Sequence, residues 1–304
     1  MARFSFPHLQ YGYHPLPSNP KFNDRDRSMK DFRNKTVVIT GAGSGIGRAL
    51  AIAFATEGAQ LALCDIDPSS LQATCDLVAA GGKTAHAKVF DVSDQLGMSM
   101  FAAEVAARYG AVDVVINNAG VSMSDQPFPE IDLALFERVM AVNFNGVLYG
   151  CSAFIPHLLQ RPEAALVNVS SIFGLAGIAF SAAYCASKFA VHGLSQALYQ
   201  EYRNSTLTVH SVHPGGVDTN IARNALGAKT FNEAFHTRFL KRAPADAART
   251  IITGIKTKRH RILIGSEAHT LDIAVRLRPV FGGTLVNTTI RKRLEAAQRE
   301  QQSE

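Results

Sequence analysis

The chain predicts a doubly wound α/β fold: one parallel sheet of seven strands, covered by helices on both faces to make three layers. Three observations lead there. Short β-branched, apolar runs alternate with helix-length segments between residues 35 and 265, the pattern of a parallel sheet with right-handed crossovers. The runs are near-continuous in apolar character, as strands buried on both faces must be. A glycine-rich turn, Gly41-Ala-Gly-Ser-Gly-Ile-Gly47, joins the first run to the first helix, the place where such sheets hold a phosphate on a helix N-terminus.

The elements follow in order. Residues 1–34 carry Phe4, Phe6, Tyr11 and Tyr13 without a period and read as an irregular arm that docks on the domain or on a partner subunit. Thr36–Thr40 is strand one, and the helix after the glycine turn runs through Glu57. Gln60–Ile66 is strand two. Pro68–Ala79 is a helix with its proline in the first turn, where no amide hydrogen is needed. Strand three is Thr84–Val92, followed by a helix over Asp94–Tyr109, and strand four is Val112–Ala119. A long helical region covers Asp132 to Leu159. Strand five is Ala165–Ser171, and a helix then runs from Ser181 to Tyr202. Leu207–Pro214 is strand six. A Phe-spaced segment, Ile221–Leu240, precedes a helix over Pro244–Ile255 and strand seven at Ile262–Ile264. No internal linker or repeat appears, so residues 35–265 read as one domain and 266–304 as a tail with helical segments.

Composition bounds the function. With 304 residues, 47% hydrophobic and 18% charged, the chain can bury a sizeable core. Its net charge of +6 is concentrated at residues 256–261 and 291–293. Neither cluster interleaves aromatics, so both read as solvated faces and no nucleic-acid groove is expected. Contact with an anionic membrane surface stays open. Cys64, Cys75, Cys151 and Cys185 form no CxxC pair and read as reduced core residues of a cytoplasmic protein. The ten histidines lack ligand spacing, so no metal is expected. No signal peptide is visible, and no unbroken apolar run reaches the roughly 18 residues of a membrane helix.

The chemistry-bearing residues sit at strand ends. Gly41, Gly45 and Gly47 follow G-x-x-x-G-x-G, with Ser44 and Ile46 inside the turn; small residues there let a pyrophosphate approach the backbone. Asp65 closes strand two, where a carboxylate can accept bonds from an adenosine ribose, while Asp67 before Pro68 reads as the helix cap. Asp91 and Val92 end strand three and could touch an adenine. Asn117-Asn118-Ala119-Gly120 ends strand four. Asn143 interrupts an apolar helical stretch, which argues for a buried, partnered amide. Ser170 and Ser171 end strand five. Tyr184 and Lys188 lie four residues apart on one helix face; alone such a pair is usually a surface feature, but a phenol beside a cation is also an acid/base pair, and the cation is expected to bring the phenol down toward working pH.

Together the Thr40-Gly41…Gly45-Ile46-Gly47 turn, Asp91-Val92, Asn117-Asn118-Ala119-Gly120, Asn143, Ser171, Tyr184-x-x-x-Lys188 and Pro214-Gly215 with Thr219 closely resemble the short-chain dehydrogenase/reductase family over about residues 34 to 265. The resemblance implies a Rossmann-like fold and NAD(P)-dependent hydride transfer. It implies that Tyr184 exchanges a proton with the substrate oxygen, that Lys188 lowers the tyrosine's pKa and holds the nicotinamide ribose, that Ser171 bonds the substrate oxygen, and that Asn143 positions a relay water. It further implies cofactor contacts from the glycine turn, Asp65, Asp91, Val92, Asn118, Ala119, Gly120, Pro214, Gly215, Val217 and Thr219.

Phe231, Phe235, Phe239 and Leu240 in the segment after strand six, with Phe173, Leu175, Ile178 and Phe180 before Tyr184, point to an apolar pocket and hence to a hydrophobic secondary alcohol or ketone. Asp65 favours NAD, since a carboxylate repels a 2′-phosphate; NADP remains the alternative, with Arg48 its candidate counter-charge or a residue of the helix's solvent face. Leu148, Phe154, Leu158, Phe189, Leu194 and Leu198 place apolar side chains on more than one helix face, so a homodimer or homotetramer is expected. Two readings of other classes compete: a dinucleotide sensor without turnover, and a lipid- or partner-binding protein using the basic tail.

Overall fold

The computed structural model describes residues 29–221, 224–227, 242–280, 282–284 and 287–288. Seven parallel strands, β1 (Thr36–Thr40), β2 (Gln60–Asp65), β3 (Ala85–Val89), β4 (Val114–Asn117), β5 (Ala164–Val169), β6 (Leu207–Pro214) and β7 (Arg261–Ile264), pair in the order β3-β2-β1-β4-β5-β6-β7. The chain therefore reverses direction across the sheet between β1 and β4, and the crevice at their carboxyl ends is the place where such sheets bind ligands.

Alternation of side chains across the pleat divides the core in two. Val37 and Ile39 of β1 join one layer, with Leu50 and Phe54 of α1 (Gly45–Thr56) and Ile251 and Ile255 of a late helix, Pro244–Lys256. Val38 joins the other, with Phe101 and Val105 of Gln95–Tyr109, Phe154 and Leu158 of Gly146–Leu158, and Val191 of Ala182–Tyr202. In chain order the helices are α1, α2 (Pro68–Ala80), α3 (Gln95–Tyr109), α4 (Leu133–Met140), α5 (Gly146–Leu158), α6 (Ala182–Tyr202), α7 (Pro244–Lys256) and α8 (Ser266–Leu277).

Several elements differ from the reading of the sequence. β3 is a short edge strand, Ala85–Val89, with Val89 half exposed; its Ala-His-Ala-Lys-Val sequence lacks the apolar run, and only its neighbour β2 needs full burial. β4 and β5 are shorter at both termini or the carboxyl end than expected, because residues 118–120 and 170–171 peel away into the crevice. The arm's last residues belong to the core: Met29 and Phe32 are buried, and Phe32 meets Phe54 edge-on at 4.9 Å. The arm aromatics before residue 29 lie outside the described residues. The Leu133–Leu158 region, 26 residues with a mean hydropathy of 1.3, is long and apolar enough to cross a membrane by length and composition. Glu137, Arg138, Asn143 and Asn145 interrupt it, and half of its most apolar window is buried inside this fold.

Between α4 and α5 the helix widens into a π turn, Ala141–Asn145. Single π turns put one extra residue into a helix and re-aim side chains there. Asn143 is at its centre.

Candidate active site

The glycine turn has no room for side chains. Gly41 and Gly45 have φ of +63° and +53°, which L side chains resist. A β-carbon on Gly47 would stand 2.1 Å from the Gly41 carbonyl oxygen. Ser44, the N-cap of α1, makes no side-chain cap bond, so the first-turn amides of α1 point toward the crevice without a capping side chain. An anion fits such a cradle, and the donors suit a phosphate.

Around the cradle, Asp65 Oδ2 accepts from the Gly43 amide at 2.7 Å and Oδ1 from the Asp67 amide at 3.0 Å. Asp67 caps α2 through Ser69 and Ser70, as the sequence suggested. Arg48 does not lie on the solvent face of its helix. Its guanidinium turns inward, Nε donating to Thr74 Oγ1 at 3.0 Å and Nη2 to the Gly43 and Ser70 carbonyls, and so ties the turn to α2. Asp91 accepts from the Ser93 amide and hydroxyl and pairs with Arg138 at 2.5 Å. Burial opposes its charge, but those bonds prevail and hold its carboxyl below the usual range. Val92 is buried against Gly146.

The end of β4 is stitched to β1. Thr40 Oγ1 accepts from the amides of Asn118 and Ala119, both at 3.0 Å, and Asn118 Nδ2 donates to the carbonyls of Thr40 and Gly41 at 2.9 and 3.1 Å. A β-carbon on Gly120 would stand 3.2 Å from Asn143 Oδ1 and 3.3 Å from Lys188 Nζ. A side chain there would press on both of them. Beyond β6, the Gly215 amide donates to Ile264 and the Gly216 amide to Glu267 Oε1. Val217 is buried, and the Thr219 methyl group lies 3.0 Å from the β-carbon position of Gly45. The loop after Pro214 thus closes onto the glycine turn.

Asn143 is fully buried. Its Oδ1 accepts from the Val121 amide at 2.8 Å, and its Nδ2 donates to the Val121 carbonyl at 2.9 Å and Ser187 Oγ at 3.0 Å. Both amide hydrogens are thereby used, and only acceptor capacity on Oδ1 remains for a water. Ser170 and Ser171 divide as adjacent strand residues do: Ser170 Oγ donates to the Lys188 carbonyl at 2.8 Å, whereas the Ser171 hydroxyl accepts from the Phe173 amide at 3.2 Å and favours the charged form of the Tyr184 phenol. Lys188 is buried, its Nζ donating to the Val169 carbonyl at 3.1 Å and lying 5.6 Å from the centroid of the Tyr184 ring.

The expected lowering of the phenol is reversed. Loss of water around the hydroxyl pushes Tyr184 up to about 12, against the bond from Ser171, and burial also pulls Lys188 down to about 8. The same corner penalises both charges, so each group favours its neutral form.

Of the expected apolar lining, Leu175 and Ile178 are buried, Leu175 packing with Ala176 on Leu271 of α8. Phe173 meets Tyr184 edge-on at 5.6 Å, and Phe180 is 56% exposed. Residues 228–241, with Phe231, Phe235, Phe239 and Leu240, lie outside the described residues.

One group was missed. His213 Nδ1 bonds the Ser171 carbonyl at 3.0 Å, Ser211 Oγ bonds His213 Nε2 at 2.9 Å, and the ring of His192 packs edge-on at 4.6 Å. Arg261 bonds His192 at 2.8 Å and pairs with Asp272. The signal was available: residues 211 and 213 alternate onto one strand face behind Ser171. Burial holds both His192 and His213 below the usual histidine range. Among the described residues, no cluster of three or more His, Cys, Asp or Glu could hold a metal ion, and all four cysteines are free.

Comparison with known proteins agrees with this arrangement. The short chain dehydrogenase family model matches residues 35–229. The putative oxidoreductase SadH of Mycobacterium tuberculosis is 39% identical over 259 residues, covering 82% of this chain and 92% of its own length. A cyclohexanol dehydrogenase of Acinetobacter sp. is 35% identical over 189 residues, covering 62% of this chain and 75% of its own. The crystal structure of a short-chain dehydrogenase/reductase from Burkholderia phymatum in complex with NAD superposes with a TM-score of 0.75 at 29% identity, covering 82% of this chain and 97% of that one. With its seven-stranded parallel sheet and glycine cradle, the chain belongs to the short-chain dehydrogenase family and is an oxidoreductase of that family.

Proposed function

We propose that this chain is an NAD-dependent dehydrogenase acting on the CH–OH group of a hydrophobic secondary alcohol, or on the matching ketone, with Tyr184 as its acid/base. The observation that carries the reading is the corner beside the glycine cradle, where the half-buried Tyr184, the Ser171 hydroxyl and the buried Lys188 amine converge. Gly41, Ser44, Gly45, Ile46 and Gly47 would hold the pyrophosphate, Asp65 the adenosine ribose, and Asp91 and Val92 the adenine end. Asn118, Ala119, Gly120, Pro214, Gly215, Val217 and Thr219 would line the nicotinamide side. The nicotinamide ring, when bound, supplies the hydride acceptor or donor.

The chain's own residues manage orientation and the proton. Ser171 steadies the substrate oxygen next to the Tyr184 hydroxyl. A phenol held up to about 12 is protonated at neutral pH and ready to donate during ketone reduction. Alcohol oxidation asks it to accept a proton, so that direction gains as pH rises. Lys188 orients the ribose and the tyrosine, and Asn143 holds the β4 loop against α6.

Asp65 supports NAD over NADP. Both carboxylate oxygens keep acceptor capacity for ribose hydroxyls, while a 2′-phosphate at contact would be repelled. Arg48 directs Nε and Nη2 to the turn and α2. The name of the Acinetobacter relative supports a cyclic alcohol, and the NAD-bound Burkholderia neighbour supports the cofactor. A panel of cyclic and linear secondary alcohols and ketones, assayed with both dinucleotides at the absorbance band of the reduced cofactor, tests the proposal. Turnover of apolar alcohols with NAD preferred is expected; turnover confined to polar sugars, or none with any member, would refute it.

A further inference from the structure

The turn that joins Ser171 to Tyr184 is held from both sides. From the C-terminal tail, beyond the stretch matched by the family model, Asn287 Oδ1 accepts from the Ala179 amide at 2.7 Å. Its Nδ2 donates to the carbonyls of Gly177 and Gly283, both at 2.9 Å. From the loop after β4, the Gln126 amide donates to the Phe180 carbonyl at 3.0 Å, and Asp125 Oδ1 accepts from Ser181 Oγ at 2.5 Å. The tail meets the segment a second time below, where Leu271 packs on Leu175 and Ala176.

Between these anchors stands Phe180, with φ of +67°. A bulky side chain in the left-handed region is strained. Such strain persists only where the surroundings fix the backbone, and it concentrates at functional sites. The Phe180 side chain is exposed, so burial of its ring does not account for the conformation; the bonds on Ala179 and on the Phe180 carbonyl do.

We propose that Asn287 is a positioning residue that braces the 177–181 turn from the tail and sets Phe180 as the discriminating ring at the rim of the substrate site. The inference rests on the dehydrogenase reading above. It assigns the tail a part in substrate selection: bulky-ring alcohols are distinguished from small ones by where Phe180 is held.

Two measurements test it on the full chain. Hydrogen exchange of wild type and Asn287→Ala reads the brace without turnover; faster exchange over residues 177–181 is expected, and unchanged exchange would overturn it. The ratio of kcat/KM for cyclohexanol to that for a tert-butyl-substituted cyclohexanol reads discrimination. Asn287→Ala is expected to move that ratio by about threefold to tenfold through KM, the scale of one or two net hydrogen bonds. Asn287→Asp, which keeps the acceptor for Ala179, should recover part of the shift. Phe180→Gly should lose discrimination while keeping or raising Tm, because glycine accepts the positive φ. An equal fall on both alcohols in Asn287→Ala marks a merely structural contact and overturns the inference. If wild type turns over other secondary alcohols but neither of these, the discrimination claim is overturned and the dehydrogenase reading stands; if it turns over none, that reading fails as well, while the exchange result still decides the brace.

Discussion

Asp65 has two carboxylate oxygens, and the fold uses one lone pair on each, for the amides of Gly43 and Asp67. The residue is therefore both a fastener of the glycine turn and the group proposed to choose NAD. Asp65→Ala should narrow the NAD:NADP ratio of kcat/KM by weakening NAD and relieving repulsion of the phosphate; an unchanged ratio would leave Asp65 as a fastener alone. Its position was readable because a strand end fixes where a side chain stands; its amide partners Gly43 and Asp67 were not, because they depend on how the turn closes. Tyr184 and Lys188 were readable for the same kind of reason, the i, i+4 geometry of a helix. Their ionisation was not, because desolvation depends on what the tertiary fold packs around them. That burial has a sign that can be measured. With Lys188 lowered to about 8 from 10.5, the unfolded chain binds the extra proton between those values, so stability rises with pH there. With Tyr184 raised to about 12 from 10.0, the folded chain keeps the proton longer, so stability falls as pH rises through that window. Denaturant midpoints recorded from pH about 8 to about 9, below the range where the cysteines that burial raises from 9.0 pull the other way, should rise in wild type and lose the Lys188 part of that rise in Lys188→Met; equal slopes would show that Lys188 is not the buried base.

At the level of elements, the middles of strands and helices were legible and their ends were not. Apolar runs mark what lies inside the sheet, but the ends of β4 and β5 are decided by local bonds, such as the Thr40 hydroxyl capturing the amides of Asn118 and Ala119. β3 was readable as a strand but not as an edge. The π turn was hidden because a 3.6-residue pattern has no place for one extra residue, although the apolar flanks of Asn143 did indicate a buried amide. That amide closes three bonds linking the β4 loop, the π turn and α6. At about 1 kcal/mol net each, Asn143→Ala is expected to lower unfolding free energy by about 2–3 kcal/mol, read from denaturant midpoints. A change within about 0.5 kcal/mol, the size of an ordinary surface substitution, would show that the network is not a stabilising joint.

For the molecule as a whole, the alternation of strand and helix was enough to predict the parallel sheet, and the sheet's switch between β1 and β4 gathers the glycine turn, Asn118, Asn143, Ser171 and Tyr184 at one edge. Surface roles were less legible, because sequence period does not say which apolar face meets the core. Of the apolar residues expected on more than one helix face, Phe154 and Leu158 are fully buried in the core, while Leu148 and Phe189 stay exposed. The basic run at 256–261 is partly neutralised within the chain, by Lys256 with Glu57 and Arg261 with Asp272. If α5 and α6 form a subunit interface, sedimentation will give a multiple of the 32.8 kDa chain mass, and Leu148→Glu with Phe189→Glu will return it to one chain; a wild-type monomer at micromolar concentration would exclude that assembly. The central claim is that Tyr184 moves the proton in an NAD-linked alcohol oxidation. The most direct measurement is single-turnover and steady-state reduction of NAD with a cyclic secondary alcohol, in wild type and Tyr184→Phe, alongside NAD affinity by titration. The account predicts a loss of about 10²–10⁴-fold in kcat, the range for removing a general acid/base, with NAD affinity essentially unchanged. Near-normal turnover in Tyr184→Phe would contradict it.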